Sequence, residues 1–253
     1  MDISLAPDLA YRFMLVFARV GVLVMLLPGF GQNGIPTRIR LAFALLLTLL
    51  MVPLVELPGF AAETWPIGAL VPMIKEVLIG LFIGLTVRMI LMATSVAGST
   101  IANQMGLGLA QSVDPTQGIQ GALFANFLGV LAVTLVFVTD MHHLVIAAIH
   151  DSYILFKPGI IPPTSDMAMM AVMSMSDAFS LGVRMAAPFL VFGLIFYVGV
   201  GVLSRLMPAI QIFFIAMPAS ILLGFVLLAL LLSTMMAVYH EYFATLLGRF
   251  LAQ

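Results

Sequence analysis

Six long apolar segments limit the folds that this chain can adopt. They cover residues 9–27, 39–57, 67–93, 121–149, 179–203 and 209–238. At about 1.5 Å of rise per residue, a helix over any of them is long enough to cross a hydrocarbon core of about 30 Å. The breaks between them are rich in Pro and Gly, and no stretch alternates apolar and polar residues as a strand does. The sequence therefore predicts an all-α, membrane-associated fold.

Charged residues are scarce: the chain is 63% hydrophobic and 8% charged, with a net charge of −1. A soluble domain is about a quarter charged, so much of this surface must be covered by lipid or by partner proteins. The near-neutral charge gives no basis for nucleic-acid binding. The absence of cysteine excludes disulfides and thiolate chemistry.

Several apolar segments nevertheless contain charged residues. These are Arg12, Arg19, Lys75, Glu76, Arg88 and Arg184. An ionisable residue near the middle of a bilayer costs about 2.5–3.5 kcal/mol, although one near a segment end can reach the interface. Charges in so many segments indicate helix surfaces that contact protein or water, with interfacial arginines and lysines as the alternative.

Two stripes of residues recur every four positions in and after the third segment; the first has two glycines between charged residues, and the second consists of small residues. The first stripe is Glu76, Gly80, Gly84 and Arg88, and the second is Thr94, Gly98, Ala102, Gly106 and Ala110. This spacing places each set on one helix face, where glycine lets another backbone approach closely. The stripes predict helix contacts, either within the chain or with partner helices.

The polar stretch NQMGLGLAQSVDPTQG separates the third and fourth segments. Asp114 and Pro115 interrupt any helix, because Pro blocks helix continuation and disfavours helical backbone before it. Non-helical backbone at membrane depth is tolerated only inside protein or along a cavity. Met105, Leu107 and Leu109 supply apolar bulk between flexible glycines. The stretch is predicted to be either a pore-lining loop that occludes a channel or an exposed connector.

No arrangement typical of an enzyme stands out. Gly106 and Gly108 lack the strand and third glycine of a dinucleotide loop, and neither HExxH nor GxSxG occurs. The conceivable metal site is His143 and His150, which are seven residues apart and could share a helix face, with Asp140 and Asp151 nearby. Histidines at a membrane interface or in a loop are the simpler interpretation of this region. We therefore predict a non-enzymatic protein without metal or cofactor.

Four motifs follow one another along the chain. FARVGVLVMLLPGFGQNGIPTRIR contains Arg19, Pro28, Gly34, Ile35, Pro36 and Arg40. The next two are KEVLIGLFIGL, with Glu76, Gly80 and Gly84, and NQMGLGLAQSVDP. SRLMPAIQIFFIAMPASILLGF contains Arg205, Pro208, Phe213, Pro218 and Gly224. Together they resemble the FliR family of type III secretion export-gate subunits over essentially the whole chain, with residues 139–178 least similar.

The resemblance implies a structural and gating subunit of the flagellar protein export channel, in the inner membrane at the basal body. It implies bent helical hairpins in a hetero-oligomeric helical pore with FliP and FliQ, further contacts with FlhB and FlhA, and unfolded flagellar proteins as passengers. The single domain 1–253 would have a FliP-like part, 1–178, and a FliQ-like part, 179–253. The family's pore plug would comprise Met105, Gly106, Leu107, Gly108, Leu109, Ala110, Gln111 and Ser112, ended by Asp114 and Pro115. Injectisome counterparts belong to the same family.

A standalone secondary transporter or channel for a small solute is the rival function. Six segments, charges within them and a broken polar loop would suit such a protein. The two halves of the chain show no evident inverted repeat, which disfavours this alternative.

Overall fold

The computed structural model describes residues 5–31, 35–55, 67–107, 120–158, 164–207 and 211–251. Seven α-helices account for most of these residues, and no strand occurs among them. The helices are α1 (Leu5–Leu26), α2 (Thr37–Met51), α3 (Ile67–Gln104), α4 (Gln120–Val138), α5 (Met141–Leu155), α6 (Thr164–Leu206) and α7 (Ile212–Gly248). The predicted all-α fold class is confirmed.

The fourth predicted segment, residues 121–149, is divided into two helices in the structure. α4 ends at Val138 and α5 begins at Met141. Between them, Asp140 adopts the left-handed conformation, with φ 58° and ψ 15°. A right-handed helix cannot contain this conformation, which Asp tolerates better than most residues. Because hydropathy does not register one left-handed residue, the expected continuous segment is corrected to a helix pair.

Two helices extend well beyond their predicted segments. α3 continues past residue 93 to Gln104, and α6 begins at Thr164 instead of residue 179. The added residues 94–104 are small or polar apart from Val96 and Ile101, and a third of the added part of α6 is methionine. The predicted bounds were too short because they followed the strongly apolar residues. A helix continues through less apolar residues as long as its backbone hydrogen bonds are made.

Contacts along the chain define two compact units, which we call unit 1 and unit 2. Unit 1 comprises Met1–Met89, Asp140–Met175 and Ala244–Gln253, and unit 2 comprises Ile90–Thr139 and Ser176–Phe243. α3, α6 and α7 each contribute one part to each unit. The predicted FliP-like and FliQ-like parts rest on resemblance and not on contacts, so that division stays a prediction.

Each unit has its own buried core. In unit 1 the buried residues of α1 and α3 include Leu15, Val16, Val20, Leu23, Ile79, Ile83 and Val87. In unit 2 the buried residues of α3, α4 and α6 include Ala97, Ile101, Leu128, Ala132, Leu181 and Phe189. Many of them recur at intervals of three or four, as expected for one face of a helix. Each large apolar side chain buried in this way contributes about 1.5–3 kcal/mol.

Among the described residues, four helices are long and apolar enough to cross a membrane, and the α4–α5 pair would be a fifth crossing if it acted as one broken span. They differ greatly in how much of their surface this chain covers. In the most apolar window of α3, 56% of the residues are buried, compared with 17% in α6 and 22% in α7. Most of the apolar surface of α6 and α7 is therefore available to lipid or to other proteins.

Candidate functional site: the root of the glycine-rich loop

The predicted plug begins where α3 ends. The structure describes its first residues, Met105, Gly106 and Leu107. The remaining predicted members lie outside the described residues: Gly108, Leu109, Ala110, Gln111, Ser112, Asp114 and Pro115. We call Gln104, Met105 and Gly106 the loop root.

A glycine ends the helical backbone within the loop root. Met105 N donates to Ile101 O at 2.9 Å, which continues the helical pattern, whereas Gly106 N donates to Asn103 O at 3.1 Å. Gly106 has a φ of +82°, a conformation that glycine adopts without the steric cost of a side chain. The backbone of Gly106 therefore sets the direction in which the chain leaves α3.

α7 holds Met105 by shape and by a hydrogen bond. Met105 is fully buried, and a Cβ on Gly224 would lie 2.7 Å from its Cε atom. The single hydroxyl proton of Ser220 is shared between Met105 O, at 3.0 Å from Oγ, and Met217 O, at 2.8 Å. Since Ser220 and Gly224 are four residues apart, they share one face of α7. This face provides both a slot for the thioether and a donor for the carbonyl.

α6 also contributes to the loop root. The Gln104 side chain occupies the space where a Cβ on Gly193 would stand. A Cβ on Gly106 would lie 3.1 Å from the Tyr197 hydroxyl. Gln104, Gly193 and Tyr197 line an open groove of about 500 Å³ together with Leu190, Leu194 and Val198. One amide and one phenol among apolar groups form a surface suited to packing, with no acid–base pair.

A second constellation, which we call the Arg19 network, lies in unit 1. Arg19 is fully buried and donates from Nε to Glu76 Oε2 at 2.6 Å. Its Nη1 donates to Ser152 O at 2.8 Å, and its Nη2 donates to Phe156 O at 2.9 Å. The guanidinium carbon lies 4.0 Å from the centroid of the Tyr153 ring. One side chain of α1 thus joins a carboxylate of α3 to the carbonyls at the end of α5.

These contacts explain how a charge can lie inside an apolar segment. The guanidinium is surrounded by an anion, two backbone carbonyls and an aromatic face, all from unit 1. Carbonyls at a helix C-terminus carry partial negative charge, which favours a nearby cation. The chain itself therefore replaces the water that Arg19 loses on burial.

The predicted helix-contact stripe makes contacts within the chain. A Cβ on Gly80 would lie 2.6 Å from Arg19 O, and one on Gly84 would lie 2.7 Å from Leu26 Cδ1. A Cβ on Gly98 would lie 2.5 Å from the backbone of Ala125. The three glycines thus permit close approach of α3 to α1 in unit 1 and to α4 in unit 2.

The other stripe members divide into buried and exposed residues. Glu76 and Ala102 are buried, whereas Arg88 is exposed. Of the two interpretations of the stripe, the contacts at its glycines favour packing within the chain. A large side chain at one of these glycines would therefore disturb the fold before it disturbed any partner surface.

The remaining residues of the first motif organise the start of α2. Arg40 donates from Nε and Nη2 to Ile35 O at 3.0 and 2.8 Å. Pro36 directly precedes α2, and Pro28 is buried. The bidentate contact of Arg40 fixes the turn before the helix.

The remaining residues of the last motif lie at the end of α6 and in α7. Arg205 is exposed in the last turn of α6, where a cation is favourable. Phe213 and Pro218 lie in α7. Gly34, of the first motif, and Pro208 lie outside the described residues.

The structure brings three of the histidine-region side chains together before and within the first turn of α5. The candidate ligand atoms of Asp140, His142 and His143 lie within 4.8 Å of one another. Two of these side chains are largely exposed, and His143 Nδ1 lies 3.2 Å from Asp140 O. His150 instead contacts Asp151 at 2.9 Å. A solvated turn accounts for this geometry, and we assign no metal to it.

Several residues of these two constellations escaped the sequence analysis. Ser152 and Phe156 act through backbone carbonyls, which no sequence pattern marks. Gly193 and Tyr197 belong to an apolar segment without a distinguishing motif. Ser220 had a signal, because Ser220-x-x-x-Gly224 is a small-xxx-small pair of the kind that permits close helix packing.

Comparison with known proteins gives a consistent result along the chain. The family described as "Bacterial export proteins, family 1" matches residues 10–246. The flagellar biosynthetic protein FliR of Caulobacter vibrioides is 45% identical over 242 residues, covering 95% of this chain and 96% of the relative. FliR of Bacillus subtilis is 27% identical over 94% of this chain and 92% of its own length. FliR of Escherichia coli is 28% identical over 85% of this chain and 81% of its own length.

Proposed function

Because the chain belongs to family 1 of the bacterial export proteins, the family of the FliR flagellar biosynthetic proteins, we propose that it is a structural and gating subunit of the flagellar type III export channel. It lines part of an export pore through which unfolded flagellar proteins pass. The stretch from Met105 to Ser112, ended by Asp114 and Pro115, closes the pore at rest.

The observation that carries the gating role is the fixed position of the loop root. Met105 is held by Gly224 and Ser220, and Gly106 sets the direction of the chain that follows. Residues 107–112 are uncharged, with two leucines between small or polar residues. A water-filled pore narrowed by such apolar side chains can close by dewetting. The loop therefore begins at a residue that packing and a hydrogen bond hold against α7.

The proposed partners are FliP and FliQ within the pore, with FlhB and FlhA nearby, in the inner membrane at the flagellar basal body. Family membership and the apolar helices support a membrane protein of the flagellar export apparatus. The described part of the chain leaves a large apolar surface of α6 and α7 uncovered. Neighbouring subunits would cover part of it.

Deletion of residues 107–112 in flagellated cells tests the gate. This deletion keeps Met105 and Gly106, so the loop root stays intact. We expect entry of a small membrane-impermeant dye to increase, because the apolar bulk that seals the pore is gone. A matched variant replaces residues 107–112 with six Gly and Ser residues, which preserves length and removes only the apolar side chains.

The two variants separate the contributions of length and of apolar character. If both leak, the apolar side chains form the seal. If only the deletion leaks, loop length is sufficient to close the pore. Unchanged dye entry in both variants, with normal amounts of the assembled complex in the membrane, would contradict the gating role.

A further inference from the structure

The carboxylate of Glu76 is bound through only one of its two oxygens. Glu76 is 1% exposed, and its Oε2 atom accepts the hydrogen bond from Arg19 Nε. Its Oε1 atom is fully buried and makes no hydrogen bond with the residues that the structure describes. A buried carboxylate oxygen without a donor keeps the cost of its lost hydration. This atom therefore indicates a small ligand that can donate a hydrogen bond.

Arg19 cannot turn to meet this oxygen. A guanidinium often binds a carboxylate through two parallel N–H···O hydrogen bonds. In Arg19, however, Nη1 donates to Ser152 O and Nη2 donates to Phe156 O, at 2.8 and 2.9 Å. A rotation of the guanidinium toward Oε1 would break these bonds. The fork that could cover both oxygens is thus divided between α3 and the end of α5.

The guanidinium of Arg19 still has an N–H group to donate. A guanidinium carries five N–H groups. Arg19 makes four hydrogen bonds with the described residues, the fourth from Nη1 to Ser152 Oγ at 3.2 Å. At least one N–H group therefore has no acceptor among these residues. One buried ion pair thus combines an oxygen that needs a donor with an N–H group that needs an acceptor.

The hydroxyl groups beside the ion pair already donate elsewhere. Ser152 Oγ donates to Ile149 O at 2.7 Å, and the Tyr153 hydroxyl donates to Val16 O at 3.4 Å. The backbone N–H groups in the middle of α1 and α3 are used within their own helices. Protonation of Oε1 would not satisfy this atom, because the new O–H group would itself need an acceptor. The site therefore requires a molecule that both donates and accepts.

We propose that one water molecule is bound between Glu76 Oε1 and the guanidinium of Arg19. The water donates to Oε1 and accepts from the remaining N–H group, as buried waters do for polar groups that lack a protein partner. A metal cation does not suit this place, because the guanidinium already carries a positive charge beside the oxygen. Protein groups replace most of the hydration of Arg19, and this water completes the junction of α1, α3 and α5 within unit 1.

High-resolution cryo-electron microscopy tests the site in the full chain, purified with the subunits that accompany it. We expect a density peak about 2.7–3.2 Å from both Glu76 Oε1 and a terminal nitrogen of Arg19. The map must show other buried waters, which calibrate what a bound water looks like. In such a map, the absence of this peak would overturn the proposal, and so would a protein donor or a metal ion at Oε1.

Two substitutions of similar volume provide a second measurement. Glu76→Gln and Glu76→Met both remove the charge beside Arg19, so this loss is common to the two variants. Gln keeps two polar atoms that a water can bind, and the peak should remain in its map. Met offers no comparable partner, and the peak should disappear. A peak that persists in both variants would contradict the role of Glu76, and if either variant fails to assemble, the wild-type map decides alone.

Discussion

α3 is fixed in two different ways along its length. In the part that belongs to unit 1, Glu76 forms a buried ion pair with Arg19 of α1. In the part that belongs to unit 2, the contacts are steric, with Gly98 against the backbone of α4 and Met105 over Gly224 of α7. One apolar helix thus has a buried ion pair in addition to close glycine contacts at one end, and uncharged packing contacts at the other. The two anchors should respond differently to substitution.

The difference lies in how each anchor fails. A buried charge that loses its partner retains its full desolvation cost, and breaking such a pair typically costs 3–5 kcal/mol. Enlarging a side chain at a packed site destabilises the fold less, because neighbouring atoms can shift. An added methyl group in a tight site costs about 1–3 kcal/mol. The charged anchor should therefore give the largest effects, and the loop root should give smaller ones.

Removal of the carboxylate at Glu76 should have the largest effect on stability. In Glu76→Ala, Arg19 stays buried without its anion, and we expect a loss of about 3–5 kcal/mol in the free energy of unfolding. Thermal unfolding of the purified complex in detergent should show a strongly lowered midpoint. Asp8→Ala, at the partly exposed Asp8–Arg12 pair, is the matched control and should cost about 0.5 kcal/mol.

A double variant isolates the charge from the packing. Arg19→Met with Glu76→Leu removes both charges at similar volume, so no uncompensated charge stays buried. It should unfold at a higher temperature than Glu76→Ala, although Phe156 O loses the Arg19 donor and Ser152 O keeps only the backbone N–H of Phe156. If the double variant were as unstable as Glu76→Ala or less stable, charge would not be what distinguishes this end of α3.

A methyl group at Gly98 should give the next largest effect. In Gly98→Ala the new Cβ would lie 2.5 Å from backbone atoms of Ala125, which cannot move independently of α4. We expect a loss of about 2–3 kcal/mol. Gly129→Ala in α4 is the matched control, since its Cβ would lie 3.7 Å from Thr94 Oγ1, an ordinary contact. The control should gain up to about 1 kcal/mol from helix propensity, and similar losses in both variants would refute the steric anchor.

The sequence predicts more of the charged anchor than of the steric one. Arg19 and Glu76 stand out because ionisable residues are rare in apolar segments, so each raised the question of a partner. Helix content and the small-residue faces followed from periodicity. The break at Asp140 did not, because a single left-handed residue leaves no mark in hydropathy. Contacts made by backbone carbonyls, such as Ser152 O with Arg19, depend on tertiary packing that no local pattern encodes.

Gly224→Ala should loosen the loop root with a moderate loss of stability. Its Cβ would meet the flexible side chain of Met105 and not a backbone, so Met105 can partly give way. We expect a loss of about 1–2 kcal/mol and a measurable increase in dye entry. Met105→Ala empties the same slot, so the double variant should be less destabilised than the sum of the two single variants. Additive losses in unfolding free energy would show that the two residues do not share this space.

The hydrogen bond from Ser220 to Met105 O should contribute least. Ser220→Ala leaves the buried carbonyl without this donor, and we expect a loss of about 1 kcal/mol, because net hydrogen bonds contribute about that much. Dye entry should rise less than in Gly224→Ala, since the thioether keeps its slot. Ser204→Ala is the control: its hydroxyl donates to Gly201 O within the exposed surface of α6, so its removal should change stability by less than about 0.5 kcal/mol. If Ser220→Ala admits more dye than Gly224→Ala, the hydrogen bond, and not the fit of Met105 against Gly224, holds the loop root in place. Both ends of α3 would then depend on polar contacts.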